Sequence, residues 1–186
     1  MRSNVIEGRA ALLGLALLAG LLISSLLYSY NVARADDINP LAVEFSLPSS
    51  HHAVFGAPAT GVQIYRCEAV NGSYAWQLRG IDARLLDSDG RSFARQTDVA
   101  EWVADDGSSI NGQLSKSIDP ARGSGLPDQL YAIDRTTAGV FVSVTDIVRD
   151  HVSGGLPPAK ACDASAAATT VRVPFKADYV FFEAAS

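Results

Sequence analysis

Residues 61–69 restrict the fold of this chain most, because they alternate in character and include one of only two cysteines. Val62 and Ile64 fall on one face of an extended segment, whereas Tyr65 and Cys67 fall on the other. A period of two, carried by β-branched and aromatic residues, is typical of a β-strand. We therefore predict a strand here and expect the rest of the domain to be arranged around it.

Turn signals follow this strand at short intervals. Asn71-Gly72 is a strong two-residue hairpin signal, because both central residues of a type I′ turn need a positive φ. Further alternating or apolar segments lie at residues 74–78, 81–86, 91–96, 101–104, 109–117, 130–134, 140–148 and 170–182. Short strands separated by such turns predict an all-β fold, a single antiparallel β-sandwich or barrel of roughly eight or nine strands. The pattern does not distinguish the sandwich from the barrel.

The N-terminus has the pattern of a secretory signal peptide. Two arginines precede an uncharged, mostly aliphatic run at residues 10–27, and the small-x-small site Ala33-Arg34-Ala35 follows. This order predicts cleavage after Ala35 and a secreted or periplasmic protein. The alternative is an uncleaved N-terminal membrane anchor, because the run reaches the lower limit of the roughly 17–25 residues that span a bilayer.

The predicted organisation is a signal peptide at residues 1–35, an extended lead-in at residues 36–60 and a β domain at residues 61–186. The lead-in contains three prolines and lacks a sustained period. Its one alternating piece, residues 42–47, suggests a short strand.

The charge of the mature chain argues against two classes of partner. Residues 1–35 carry three arginines and one glutamate, so their removal changes the net charge from −5 to −7. Nucleic-acid binding relies on Lys and Arg that neutralise phosphates, and docking on anionic lipid needs the same charge. We therefore expect no nucleic acid and, after cleavage, no membrane. The expected partner is a small ligand, a glycan or an envelope protein.

Both cysteines, Cys67 and Cys162, lie in the predicted mature chain. An even number of cysteines in an exported protein predicts a disulfide. Two free buried thiols or a metal pair are the alternatives, but two cysteines without a nearby histidine make a poor zinc site.

No residue pattern in the chain compels a catalytic or metal-dependent chemistry. His51 and His52 are adjacent, so in an extended segment they point to opposite sides and do not form a two-histidine metal site. No Gly-x-Ser-x-Gly motif is present to supply a nucleophile for His151. We therefore assign no catalytic residue, no metal site and no cofactor.

Two functional hypotheses follow. We prefer a non-enzymatic binding protein, for which the aromatic residues Tyr65, Trp76 and Trp102 are the ligand-binding candidates. The alternative is a secreted hydrolase or metal-dependent enzyme that uses His151, near Asp146 or Asp150, or loop carboxylates; those carboxylates are Asp87, Asp89 and Asp106.

Two further features are structural predictions. Arg149 and Asp178 are charged residues flanked by apolar ones, and we expect them to form a buried or half-buried ion pair. Asn71-Gly72-Ser73 is also an N-glycosylation pattern on the predicted turn, relevant in a eukaryotic host.

A set of motifs spread over the chain points to one family. The motifs are Gly-Val-Gln-Ile-Tyr-Arg-Cys at 61–67, Trp76, Asp89-Gly90, Trp102, Asp106-Gly107-Ser108, Val144-Thr145 with Ile147 and Arg149, Ser153-Gly154-Gly155, Cys162, and Val-Pro-Phe-Lys-Ala-Asp-Tyr at 173–179. Together they resemble the DUF3455 family, which consists of small exported proteins of bacteria and fungi with no established activity. The resemblance extends from about residue 38 to the C-terminus. It implies export, the cysteine pair and a shared β fold, and it implies no mechanism.

The chain departs from this family in two segments. The family usually shows His-Tyr/Phe-x-Gly-Pro-x-Trp before its Asp-Gly-Ser, whereas residues 96–102 read Gln-Thr-Asp-Val-Ala-Glu-Trp. The family's Pro-Trp-Leu-Leu-Leu reads Pro-Asp-Gln-Leu-Tyr at residues 127–131. A function that depends on that histidine is therefore absent from this chain.

Overall fold

The computed structural model describes residues 39–120 and 125–185 of the protein. The predicted signal peptide, with its cleavage site after Ala35, lies outside these residues. Within them, no helix has the length and apolar character needed to cross a membrane.

The described residues form eight strands and two short helices. In chain order these are α1 (Asn39–Glu44), β1 (His51–Val70), β2 (Ser73–Leu86), β3 (Ser92–Asp98), β4 (Glu101–Ala104), β5 (Ser109–Ile118), β6 (Asp128–Thr136), β7 (Asp146–Gly154), a 3₁₀ helix (Ala164–Ala166) and β8 (Thr170–Ala184). The all-β prediction is confirmed, with eight strands.

The sheet is a closed antiparallel barrel. Each strand pairs with the next along the chain, and β8 returns to pair with β1. Strand β1 is 20 residues long and joins both neighbours, as the pairs Cys67↔Trp76 with β2 and Ala57↔Tyr179 with β8 show. The Asn71-Gly72 turn that follows has φ values of 52° and 82°, as a type I′ hairpin requires.

Strand β1 begins ten residues before the boundary suggested by the sequence. Residues 51–60, placed in the extended lead-in, pair with β8 from His51↔Ala184 to Thr60↔Lys176. Their alternation is weak because most inward positions are small, such as the buried Ala57 and Ala59. Residues 42–47 form no strand, since α1 ends at Glu44 and a turn follows.

The predicted strand at residues 140–148 is wrong in its first half. Residues 140–143 form a turn, in which the Val142 N–H donates to the Gly139 carbonyl at 3.1 Å. The valines at positions 140 and 142 resemble a strand pattern, yet the Val142 side chain is 61% exposed. The Asp106 carboxylate holds this turn by accepting the Val140 N–H at 2.9 Å.

The barrel interior has an apolar part and a polar part. Stacked rings fill the apolar part, with ring centroids 4.4 Å apart for Phe55 and Phe181 and 5.6 Å apart for Phe141 and Phe181. The Cys67–Cys162 disulfide is present, as predicted, and ties β1 to the segment between β7 and β8. The polar part lies along β7 and β8, around the buried Arg149 and Tyr179.

Candidate functional site

Arg149 is a buried cation inside the barrel. It is directly opposite Tyr179 on β8, and Tyr179 in turn is opposite the core residue Ala57 on β1. Residues opposite one another across strands share a face, so the Arg149 side chain points inward. It is 2% exposed, its Nη2 donates to the Pro127 carbonyl at 3.1 Å, and its Nε has no hydrogen-bond partner among residues 39–120 and 125–185. No carboxylate among the described residues forms an ion pair with it.

Three buried tyrosines surround this cation, and each lies beside a glutamine amide. The Tyr65 hydroxyl is 2.9 Å from Gln63 Oε1 and 2.8 Å from the Gly155 carbonyl. The other two pairs are Tyr131 with Gln129 and Tyr179 with Gln96. The amide oxygens therefore accept from the tyrosine hydroxyls, and the Arg149 Nε is not among their donors.

Burial and the Arg149 charge act in opposite directions on the pKa of all three tyrosines. Burial raises the pKa of Tyr65, Tyr131 and Tyr179, and the Arg149 cation opposes that rise in each case. The hydroxyls therefore remain protonated at neutral pH and act as hydrogen-bond donors.

Trp102 completes this group, which we call the interior polar cluster (Arg149, Trp102, Tyr65, Tyr131 and Tyr179). Its ring meets Tyr131 and Tyr179 edge to face, with centroids 5.2 Å and 6.3 Å apart. It is fully buried, and its indole Nε1 has no hydrogen-bond partner among the described residues. A buried unpaired donor costs about 1–3 kcal/mol. Two such donors, one of them charged, therefore lie next to Tyr179.

The structure separates the three aromatic candidates. Tyr65 and Trp102 belong to the interior polar cluster. Trp76 lies on β2 opposite Cys67, half-buried, and its indole N–H donates to the Lys160 carbonyl at 3.0 Å. Trp76 thus packs beside the disulfide and lies outside the cluster.

Arg149 is buried, as the sequence indicated, but the predicted partner of Arg149 is wrong. Its expected ion pair with Asp178 does not form, because Asp178 precedes Tyr179 on β8 and points to the outer face, where it is exposed. The sequence did show one charged residue, Arg149, directly after the apolar residues 147–148. Which face of the sheet Arg149 occupies, however, depends on closure of the barrel.

Comparison with known proteins agrees with the resemblance seen in the motifs. The chain matches the family described as "Protein of unknown function (DUF3455)" over residues 48–183, which include nearly the whole barrel. The protein belongs to the DUF3455 family. No curated protein and no solved structure matches it significantly.

In this DUF3455 protein, Gln96 lies beside the interior polar cluster. Gln96 is fully buried, accepts from the Tyr179 hydroxyl and donates through Nε2 to the Val99 carbonyl at 3.0 Å. Gln96 therefore places an uncharged amide beside the cluster.

The adjacent histidines make separate contacts, as their positions predicted. His51 Nε2 lies 3.2 Å from an Asp146 carboxylate oxygen, and His52 Nε2 lies 2.6 Å from a Glu183 carboxylate oxygen. They do not share a carboxylate.

The loop carboxylates of the enzyme alternative lie in two different turns. Asp87 Oδ1 accepts the backbone N–H groups of Asp89 and Arg91, which closes the β2–β3 turn. Asp106 accepts the Ser108 N–H at 2.8 Å in the β4–β5 turn. The Ser108 hydroxyl and nearby backbone N–H groups lower the pKa of Asp106. These carboxylates therefore hold turns together.

Within the described ranges, His151 is the member of the enzyme alternative that lies close to two carboxylates. Its Nδ1 is 2.9 Å from Asp150 Oδ2 and 3.5 Å from Asp178 Oδ2. Asp146, the other expected neighbour, pairs with His51 instead. This group lies on the outer face of β7 and β8, whereas the interior polar cluster lies inside the barrel.

Proposed function

We propose that this DUF3455 protein is an exported, non-enzymatic barrel that binds a small ligand bearing a carboxylate in its interior. The observation that carries this proposal is Arg149, a buried cation whose Nε, like the indole N–H of Trp102, has no hydrogen-bond partner in the part of the chain that the structure describes. The signal-peptide pattern and the disulfide support export.

The chemistry of the cluster favours a planar anion. A guanidinium presents a fork of donors that matches a carboxylate, and such charge-assisted bonds are about twice as strong as neutral ones. The indole N–H of Trp102 adds a neutral donor, and the rings of Tyr131 and Tyr179 supply flat apolar surface beside it. The interior of an eight-stranded barrel is wide enough to be filled by side chains or to hold one small ligand.

The same residues favour binding over catalysis. The cluster contains neither a histidine nor a carboxylate that could act as a general base near neutral pH. Burial raises the pKa of its tyrosine hydroxyls, so they stay protonated at that pH and supply no phenolate as a base or nucleophile. The cluster therefore offers hydrogen-bond donors and a positive charge, which suit the holding of an anion.

The test uses benzoate as the probe and benzyl alcohol as its uncharged counterpart. Benzoate should raise the melting temperature of the purified protein in a saturable way, and benzyl alcohol should not. Arg149→Met keeps the length of the side chain but removes its charge, so it should weaken benzoate binding about 10–100-fold, as expected for loss of a charged hydrogen bond.

Two further variants make the result specific. Trp102→Phe keeps an aromatic ring but removes the indole N–H, so it should weaken benzoate binding several-fold without abolishing it. Arg172→Met is the matched control, because Arg172 is an exposed arginine whose Nη2 contacts Asp82 at 2.9 Å. Equal responses to benzoate and benzyl alcohol, or undiminished benzoate binding by Arg149→Met, would contradict the proposal.

A further inference from the structure

Three carboxylates lie side by side on the outer face of three consecutive strands. Asp150 on β7 is directly opposite Asp178 on β8. On the other side, Gln129 of β6 is opposite Arg149, so the next position of that register brings Asp128 level with Asp150. Like charges opposite one another in an antiparallel sheet are destabilising. No Lys or Arg of the described residues forms an ion pair with any of the three.

His151 joins this row through a β-bulge. Adjacent strand residues normally point to opposite faces, so His151 would point away from Asp150. The pairing with β8 shifts between Asp150 and Ser153, and His151 has a φ of 48°. An extra residue of this kind re-aims a side chain. The bulge therefore places the imidazole on the same side as the two aspartates.

The spacing of the three side chains matches a metal site. One ligand atom from each of Asp150, His151 and Asp178 lies within 4.8 Å of the others. The closest pair, His151 Nδ1 and Asp150 Oδ2, is 2.9 Å apart. Ligands about 2.0–2.2 Å from a Zn²⁺ ion are themselves about 3.3 Å apart in a tetrahedral site.

A second observation is independent of this spacing. The Asp150 side chain is only 5% exposed, and no described residue forms a hydrogen bond with its Oδ1. The Asp150 carboxyl therefore presents a buried oxygen that is unpaired among the described residues, next to His151 and Asp178. Buried charges in proteins are paired or coordinate metals.

We propose that Asp150, His151 and Asp178 bind a divalent transition-metal ion on the outer face of the barrel. One imidazole nitrogen and two carboxylate oxygens form a mixed set, in which the imidazole favours ions such as Zn²⁺ over Mg²⁺ or Ca²⁺. Three protein ligands leave a further coordination position open, and His151 is 78% exposed, so this position faces solvent. Sequence reasoning assigned no metal site because the three residues meet only through the register and the bulge.

This site is distinct from the interior polar cluster. Arg149 and Asp150 are adjacent on β7, and their side chains point to opposite faces of the sheet. The metal proposal therefore does not rest on the proposed function, and either can fail without the other.

Calorimetric titration of the full chain without an affinity tag tests the proposal, after treatment with a chelator and dialysis. Zn²⁺ should bind saturably with one ion per chain and raise the melting temperature. Ca²⁺, which takes oxygen ligands, should bind at least about tenfold more weakly. The absence of saturable Zn²⁺ binding would overturn the site.

Variants assign the ligands. His151→Asn removes the imidazole while asparagine tolerates the left-handed backbone at this position, so the fold should persist. It should weaken Zn²⁺ binding at least about tenfold, as should Asp178→Asn. His52→Asn is the matched control, because His52 is also an exposed histidine beside a carboxylate but has one such neighbour, Glu183. Undiminished Zn²⁺ binding by His151→Asn, or an equal loss in His52→Asn, would overturn the assignment; circular dichroism establishes that each variant is folded.

Discussion

Removal of the disulfide should destabilise the domain strongly, and the structure sets the size of the effect. Cys67 and Cys162 are 95 residues apart, so the bond closes a loop that runs from the end of β1 past β7. In the chain-entropy model a loop of this length stabilises the folded state by about 4.7 kcal/mol, and measured losses are about 2–5 kcal/mol. For a domain of this size, that range corresponds to a fall in melting temperature of about 6–15 °C.

The native contacts around the bond explain why the effect should come mainly from the unfolded chain. The Cys67 N–H donates to the Thr169 carbonyl, and the Ala168 N–H donates to the Cys67 carbonyl, both at 2.9 Å. These backbone bonds do not need the sulfur atoms, so they should hold the 3₁₀ segment against β1 when the bond is absent. The folded barrel should therefore persist while the unfolded ensemble gains freedom.

The double variant Cys67→Ala/Cys162→Ala is the appropriate perturbation, because alanine leaves neither a free thiol nor a buried hydroxyl. Urea unfolding of the wild type, with and without reductant, should give a free energy of unfolding that falls by about 2–5 kcal/mol on reduction. The variant should match the reduced wild type and should not respond to reductant. If the oxidised wild type and the variant unfold within about 0.5 kcal/mol of each other, the loop-closure reasoning is wrong.

Two further predictions concern stability. Burial raises the pKa of Asp150 from 3.8 to about 6, so the folded state binds the carboxyl proton more tightly than the unfolded chain does. The contribution of Asp150 to the free energy of unfolding should therefore become less favourable as the pH rises from about 4 to about 6. Asp150→Asn should therefore gain stability relative to wild type between pH 4 and pH 7 in urea unfolding, and a pH-independent difference would contradict this. Gly61→Ala should lower the free energy of unfolding by about 1–3 kcal/mol, since the new Cβ would lie 2.5 Å from the Ala83 Cβ. Gly56→Ala is the control: its new Cβ would meet one backbone oxygen at 3.7 Å, so the melting temperature should hardly change. Equal melting temperatures for these two glycine variants would refute the close approach of β1 and β2.

Strand β7 carries both proposed sites, because its two faces differ. Arg149 faces the barrel interior and Asp150 faces outward, one residue apart. Ligand binding at one face and metal binding at the other can therefore be measured separately, through Arg149→Met and His151→Asn. A change in Zn²⁺ affinity caused by benzoate would show that the two faces are coupled through the strand.

The sequence by itself determined the features that depend on neighbouring residues. The alternation of residues 61–69 marked a strand, and Asn71-Gly72 marked its hairpin, because both signals act within a few residues. The all-β class and the family followed from turn spacing and from motifs along the chain. The disulfide was predictable because the chain has only two cysteines.

Tertiary structure decided everything that depends on which face a residue occupies and which strand it meets. The same strands could form a sandwich or a barrel, and only the pairing of β8 with β1 makes the barrel. Arg149 and Asp178 looked like an ion pair, but closure and register place them on opposite faces. Asp150, His151 and Asp178 meet through that register and a one-residue bulge. Because a shift of one residue in a strand reverses the face of every side chain, these long-range choices cannot be read from local sequence patterns.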